Sequence, residues 1–311
     1  MGASGVQRRT LIRSMTAAAL TPAVAVAQAA PLSKPPADSL RYLDPAKRLT
    51  VKALVNGQGP FDFMVDTGAN SSVIAAEIAY KLSLPPAGRS EMHGIAGAQS
   101  VETVLIESLT VGRRGRQRMT LSVLPRETLN ADGILGLEWL GRASLLLDFK
   151  RRRMTVGEAL PVPDPTTFVV KARLQKSGLT LIDAFMPSRR IIAFVDSGST
   201  TTVGNLAFFD EAVVKGSIVG PVTDTELRSV TGQVLQGRLI TMSSLTLGKV
   251  ILRRVPMVIG PIHTFDFWGM HAEPAVLIGS DILQQFETVA MDVKAGEVRF
   301  KVSGPSWSGV D

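Results

Sequence analysis

The chain is expected to be an all-β protein of two β-barrel-like lobes related by a pseudo-two-fold axis, with one short helix per lobe. Three observations lead to that expectation. Short runs of alternating apolar and polar residues, bounded by Gly, Asn and Pro, recur at close spacing along the whole chain. A series of five motifs occurs twice in the same order. Between the two series lies Pro161-Val162-Pro163-Asp164-Pro165, where three prolines in five residues exclude both helix and central strand. The N-terminal lobe is therefore placed at 40–160 and the C-terminal lobe at 166–304, with residues 30–39 as an extended lead-in.

Each element follows from its local pattern. Residues 50–55 alternate, Asn56-Gly57 supplies a tight turn, and residues 61–65 form an apolar run that ends on Asp66-Thr67-Gly68-Ala69-Asn70. Residues 75–82 then read as a helix. The segments 104–106, 109–111 and 119–124 read as strands, with Gly112-Arg113-Arg114-Gly115 turning between the last two. In the second series an apolar run again ends on an aspartate, Asp196-Ser197-Gly198-Ser199-Thr200, and residues 205–213 form the following helix. The segment 108–112 is echoed by 244–248, Gly133-Ile134-Leu135-Gly136 by Val276-Leu277-Ile278-Gly279, and 145–150 by 289–294. Lys294-Ala295-Gly296 marks a hairpin between two alternating runs.

Composition excludes several function classes. The chain has 311 residues, 45% hydrophobic and 20% charged, enough for two lobes with real cores. Only 5% is aromatic, which argues against a base-stacking platform, and Lys150-Arg151-Arg152-Arg153 reads as a solvated turn, so no nucleic-acid partner is expected. There is no cysteine, hence no thiolate metal site, cysteine nucleophile or disulfide. His93, His263 and His271 are not at ligand spacing and read as surface or loop residues, and no Gly-x-Ser-x-Gly occurs.

The N-terminus reads as an export signal over residues 1–29. Arg8-Arg9 precedes an apolar stretch that ends in Ala27-Gln28-Ala29, the order of a charged, an apolar and a small-residue exit region. The adjacent arginines resemble a twin-arginine signal, the general secretory route being the alternative. The mature chain would begin near Ala30 in the periplasm or outside the cell. The formal charge of +7 would fall to about +4 with the loss of Arg8, Arg9 and Arg13, and no later segment is long and apolar enough to span a membrane.

The two aspartates carry the chemistry. A buried strand that ends on a carboxylate needs a partner for the charge, and two matching cases suggest that each aspartate meets the other. Two carboxyls about 3 Å apart cannot both ionise, so they share a proton and titrate as a pair. The monoanion can take a proton from water while its protonated partner stabilises a developing oxyanion, with no metal, cofactor or covalent intermediate. Gly68 and Gly198 fit positions where a side chain would block backbone approach to the carboxyls.

Each Asp-hydroxyl-Gly is followed in its own series by two apolar residues and a glycine, 70 residues on at Gly136 and 83 on at Gly279. That combination resembles the aspartic peptidases over roughly residues 45–302, in a retropepsin-like form with two fused copies in one chain. The resemblance implies an aspartic endopeptidase acting on peptide or protein substrate, with Asp66 and Asp196 as catalytic dyad. It implies that Thr67 and Ser197 lock the two loops together and that the later apolar strand passes behind each loop. Asn70 and Thr200 fall where outer carboxylate oxygens could be hydrogen-bonded. Gly94, Ile95, Ala96 and Gly97 resemble a retropepsin flap, and Val230, Thr231 and Gly232 occupy the corresponding place in the second series. A flap tyrosine of pepsin type is missing, since Tyr42 and Tyr80 lie elsewhere. A single chain supplying both aspartates is expected to act as a monomer with an acidic optimum. The alternatives are a non-catalytic peptide-binding protein of the same fold, and an envelope protein whose aspartates merely cap turns.

Overall fold

Period-two sequence becomes strands buried on one face. The computed structural model describes residue 1, residues 39–41 and residues 50–303 apart from 142, 158–159, 176–178 and 188. Beyond Met1, the expected export signal lies outside the described residues. After β1 (Ser39–Arg41), strand β2 (Thr50–Val55) buries Val51, Ala53 and Val55 and exposes Lys52 and Leu54. Asn56 (φ 51°) and Gly57 (φ 73°) then make the left-handed turn that a twisted two-residue hairpin requires, into β3 (Gln58–Val65).

The first half continues through β4 (Val73–Ala75), α1 (Ala76–Lys81), β5 (Pro86–Gly94), β6 (Gly97–Val111) and β7 (Arg114–Leu124). It ends with α2 (Arg126–Leu129), β8 (Gly133–Leu135), α3 (Leu137–Leu140), β9 (Ser144–Asp148) and β10 (Arg153–Gly157). The second half holds β11 (Thr167–Leu174), β12 (Thr180–Met186), β13 (Arg189–Val195), β14 (Val203–Gly204), α4 (Leu206–Val214) and β15 (Thr223–Arg228). It goes on through β16 (Val234–Leu247), β17 (Val250–Ile259), α5 (His263–Phe267), β18 (Ala275–Ile278), α6 (Ser280–Leu283), β19 (Thr288–Asp292) and β20 (Glu297–Lys301). Strands hold 54% of the structure and helices 13%, so the fold is mostly β. No helix among the described residues is long and apolar enough to cross a membrane.

In the first half β2, β3, β8, β4, β7 and β6 lie edge to edge, and β6 pairs back onto β2 to close a six-stranded barrel. The second half repeats the pattern: β12, β13, β18, β14, β17 and β16 follow in the same relation, with β16 paired back onto β12. In each half the hairpin strand that precedes the long one, β5 or β15, extends from the ring. Phe63, Ile74, Leu109 and Leu121 are fully buried in the first half, and Phe194, Leu245, Leu247 and Met257 in the second. Each such side chain contributes about 1.5–3 kcal/mol of burial.

A further set of strands, β1-β10-β9-β19-β20-β11, runs across the two halves. Its centre is the antiparallel pair β9–β19, in which Leu145 faces Met291, Leu146 faces Ala290 and Leu147 faces Val289. These are the two segments that echo each other in the sequence, so equivalent positions pair about Leu146 and Ala290 with local two-fold symmetry. The segment 161–164 between the halves carries no regular structure.

Two sequence expectations need revision. Among the described residues each half has three short helices rather than one. The expected helices are α1 and α4, the latter capped by the Asn205 side chain, which accepts from Phe208 N at 2.9 Å. The others span four or five residues, too few to display a 3.6-residue period. His93 is not a loop residue: it lies in β5, and His263 opens α5. The basic turn Lys150-Arg151-Arg152-Arg153 joins β9 to β10 and is ion-paired, Lys150 to Glu287 and Arg151 to Asp148.

Candidate active site

Each apolar strand before an aspartate runs parallel to the later apolar-apolar-Gly strand, β3 to β8 and β13 to β18. The register ends with the aspartate backbone itself held: Asp66 N donates to Leu135 O at 3.1 Å, and Asp196 N to Ile278 O at 3.0 Å. Beyond that point each chain turns sharply around its own carboxylate. Gly68 N and Ala69 N donate to Asp66 Oδ1 at 2.8 and 3.0 Å, and Gly198 N and Ser199 N donate to Asp196 Oδ1 at the same distances.

Thr67 and Ser197 knit the two turns together. Thr67 Oγ1 donates to Val195 O and Ser197 Oγ donates to Val65 O, both at 2.8 Å. Each hydroxyl also accepts the other residue's amide, at 3.0 Å for Ser197 N and 3.3 Å for Thr67 N. A β-hydroxyl is all this exchange requires, which accommodates the Thr/Ser difference.

The turns bring the two carboxyls into contact. Asp66 and Asp196, both half-buried at the cavity floor, hydrogen-bond through their side chains. Burial first, then repulsion from the Asp66 charge and the hydrogen bond to it, push the Asp196 carboxyl well above the ordinary carboxylate range. Backbone amides of Ser199 and Gly198 pull in the opposite direction and lose. One carboxyl of the pair therefore keeps its proton where free carboxyls have lost theirs. The glycines make the approach possible: a Cβ on Gly68 would stand 2.6 Å from Asp196 Cγ, and one on Gly198 would overlap the Asp66 carboxyl.

Behind the turns lies a layer of residues that the sequence reading passed over. Ser72 N donates to Glu138 Oε1 at 2.6 Å, and Ser72 Oγ accepts from Gly136 N at 3.0 Å. In the second half Thr202 N donates to Asp281 Oδ2 at 2.9 Å, Thr202 Oγ1 donates to Asp281 Oδ1 at 2.7 Å and accepts from Gly279 N at 3.0 Å. Burial raises the Glu138 carboxyl, with the Ser72 hydrogen bonds opposing. Gly136 and Gly279 back directly onto the loops, a Cβ on either falling within 2.6–2.7 Å of the Ser71 or Thr201 carbonyl carbon. A signal for these residues was present, because each apolar-apolar-Gly is followed two residues later by an acid.

A cavity of about 590 Å³ opens over the carboxyl pair and is lined from both halves. Asn70 and Thr200 stand on its wall. The Asn70 Oδ1 atom is buried with no hydrogen-bond partner among the described residues, and the backbone amides on the Asp196 carboxylate come from Gly198 and Ser199. Gly94, Ile95, Ala96 and Gly97 form the tip of the β5–β6 hairpin, with Gly94 opposite Gly97. Val230, Thr231 and Gly232 lie at the tip between β15 and β16. The tips meet above the cavity, where a Cβ on Gly94 would stand 2.6 Å from Ser229 Oγ. His93, which lines the cavity, reaches His263, Nδ1 to Nε2, at 3.0 Å.

Residues 51–139 match the family model described as Aspartyl protease. No curated protein matches the chain. The matched segment contains Asp66, Gly136 and the first hairpin, while Asp196 and the second half lie outside it.

Proposed function

We propose that this chain is an aspartic endopeptidase in which Asp66 and Asp196 share one proton and activate a water between them. The observation that carries the reading is the close approach of the two half-buried carboxyls, hydrogen-bonded to each other at the floor of the cavity, together with the raised Asp196. In the monoanionic pair the ionised carboxyl takes a proton from water as that water attacks the peptide carbonyl. The protonated carboxyl donates to the developing oxyanion. The resulting tetrahedral species passes a proton to the amide nitrogen as the C–N bond breaks, and the pair returns to its singly protonated state. Thr67, Ser197, Gly68 and Gly198 serve to hold the two carboxyls at that separation, and the two hairpin tips exclude bulk water from the cavity.

The reading includes two fused copies of one unit, supported by the matched barrel pairings and the self-complementary β9–β19 junction. It includes a monomer as the working form, because one chain supplies both carboxyls. It also includes export through the N-terminal signal, supported by Arg8-Arg9 and the small residues before Ala30.

The test is a diverse peptide library incubated with the mature chain and with Asp66→Asn and Asp196→Asn. Cleavage by the parent and a loss of at least about 10³-fold in each variant are expected. Full cleavage by either single variant, or peptides bound and returned uncut by the parent, would sink the proposal.

A further inference from the structure

The two hairpins above the cavity are held in unequal ways. Ile95, at the first tip, gives its carbonyl to the His263 amide at 2.9 Å. His93 Nδ1 lies 3.0 Å from His263 Nε2, and the His93 ring stacks on Phe267 with centroids 3.8 Å apart and planes 17° from parallel. All three contacts end on α5. The second tip is bonded to itself, Ser229 N to Gln233 O at 2.8 Å and Gly232 N to Ser229 O at 2.9 Å. Across the junction it touches the first tip, Ser229 at Gly94 and Gln233 beside Gly97, and the Thr128 methyl, 3.4 Å from where a Cβ on Gly232 would be; Val230 packs against the core.

The inequality has a source in chain length. The link from β7 to β8 covers residues 125–132, whereas the matching link from β17 to β18 covers 260–274 and is nearly twice as long. The extra chain forms α5 and carries His263 and Phe267. Asn205 anchors it, its side-chain nitrogen donating to Met270 O and Glu273 O, both at 2.8 Å. The first half's shorter link carries only α2, which offers the second tip the Thr128 methyl and no imidazole.

We infer that His93 and His263 are positioning residues that clasp the first hairpin over the carboxyl pair, while the second hairpin is the one that opens to admit a peptide. The inference rests on the peptidase reading for its purpose, though not for its test. An imidazole pair bonded N–H···N needs one nitrogen free to accept. The bond holds with both rings neutral or with one protonated. With both protonated, two donors and two like charges face each other, and the bond is lost. The charged groups around it are Glu91 on β5, 3.8 Å from His93 Nε2, and Asp266 within α5. Glu226 and Arg228 of β15 and the Asp66–Asp196 pair line the same cavity, and β6 carries Glu102 and Glu107 further along the hairpin. A hydrogen on His93 Nε2 suits Glu91 and leaves Nδ1 to accept from His263 Nε2–H.

Amide hydrogen exchange on the full chain tests the clasp without requiring peptide cleavage. At about pH 7 the tip at 93–97 should exchange at least about tenfold more slowly than the tip at 229–233. His93→Phe keeps the ring on Phe267 but removes the hydrogen bond, and should speed exchange at 93–97 about tenfold. His263→Gln keeps a neutral hydrogen-bonding side chain and should retain the protection. In steady-state kinetics His93→Phe should raise KM severalfold more than it lowers kcat. Equal protection of the two tips in the unaltered chain, or protection at 93–97 that does not respond to His93→Phe, would overturn the inference. A chain that exchanges as expected but cuts no peptide would retain the clasp and discard the peptidase.

Discussion

Thr67 and Ser197 each hold the other's strand through a fully used hydroxyl, donating to a carbonyl two residues before the partner and accepting the partner's own amide. Both residues are buried, at 1% and 0% exposure, so water cannot replace a lost bond. Thr67→Val should destabilise the protein by about 1–3 kcal/mol for each orphaned group, the Val195 carbonyl and the Ser197 amide. Thr67→Ser should stay within about 1 kcal/mol of the parent. Urea denaturation with an unchanged m-value would check both.

Asp196 couples stability to pH in a direction opposite to most carboxylates. Its folded pKa is raised by burial and by Asp66, so above the ordinary carboxyl range the folded state binds more protons than the unfolded chain. Stability must then fall as pH rises from that range toward the raised value. Asp196→Asn removes this effect. The variant should melt above the parent at pH 7–8, and the gap should close as the pH falls to about 3. A gap that widens in acid would contradict the argument.

Gly68 and Gly198 are required by space rather than by backbone angle. Gly198→Ala should drive a methyl into the Asp66 carboxyl and Gly68→Ala one into Asp196. Overpacking of this kind costs about 1–3 kcal/mol, and it separates the carboxyls. Each variant should lose peptide cleavage while still giving a cooperative melt. An active Gly198→Ala protein would show that the pair tolerates a wider gap than the mechanism allows.

Glu138 offers a control one layer back. Glu138→Ala leaves the Ser72 amide without its acceptor and should cost about 1–3 kcal/mol. Glu138→Gln still presents an acceptor but cannot ionise. Because burial raises the Glu138 pKa above 4.5, the parent loses stability relative to the Gln variant as pH rises through and beyond that value. Melting temperatures of both proteins at about pH 4 and about pH 8 give the sign.

What could be read from the chain alone was whatever repeats or alternates. The meeting of Asp66 and Asp196 was legible because two identical local settings each demanded a partner for a buried charge. The hairpin tip at 94–97 was legible from its flanking glycines. Glu138 and Asp281 were within reach, since the repeat aligns them, but an acid beside a glycine has no local meaning until the strand behind the loop is seen. The approach of His93 to His263, 170 residues apart, had no local trace. It depends on a link that is nearly twice as long in one half, and an alignment of the two halves discards such an insertion. The four-residue helices after Gly136 and Gly279 were too short for a periodic signal.

The strand pair β9–β19 has a consequence for how the protein can be divided. Severing the chain within 161–165 would leave each piece with a raw border, Leu145–Leu147 on one and Val289–Met291 on the other. Either piece alone would offer unpaired backbone groups to copies of itself and precipitate. Made together, the same two borders are each other's best mate, so a chain cut within 161–165 should reassemble in the test tube without a covalent connection.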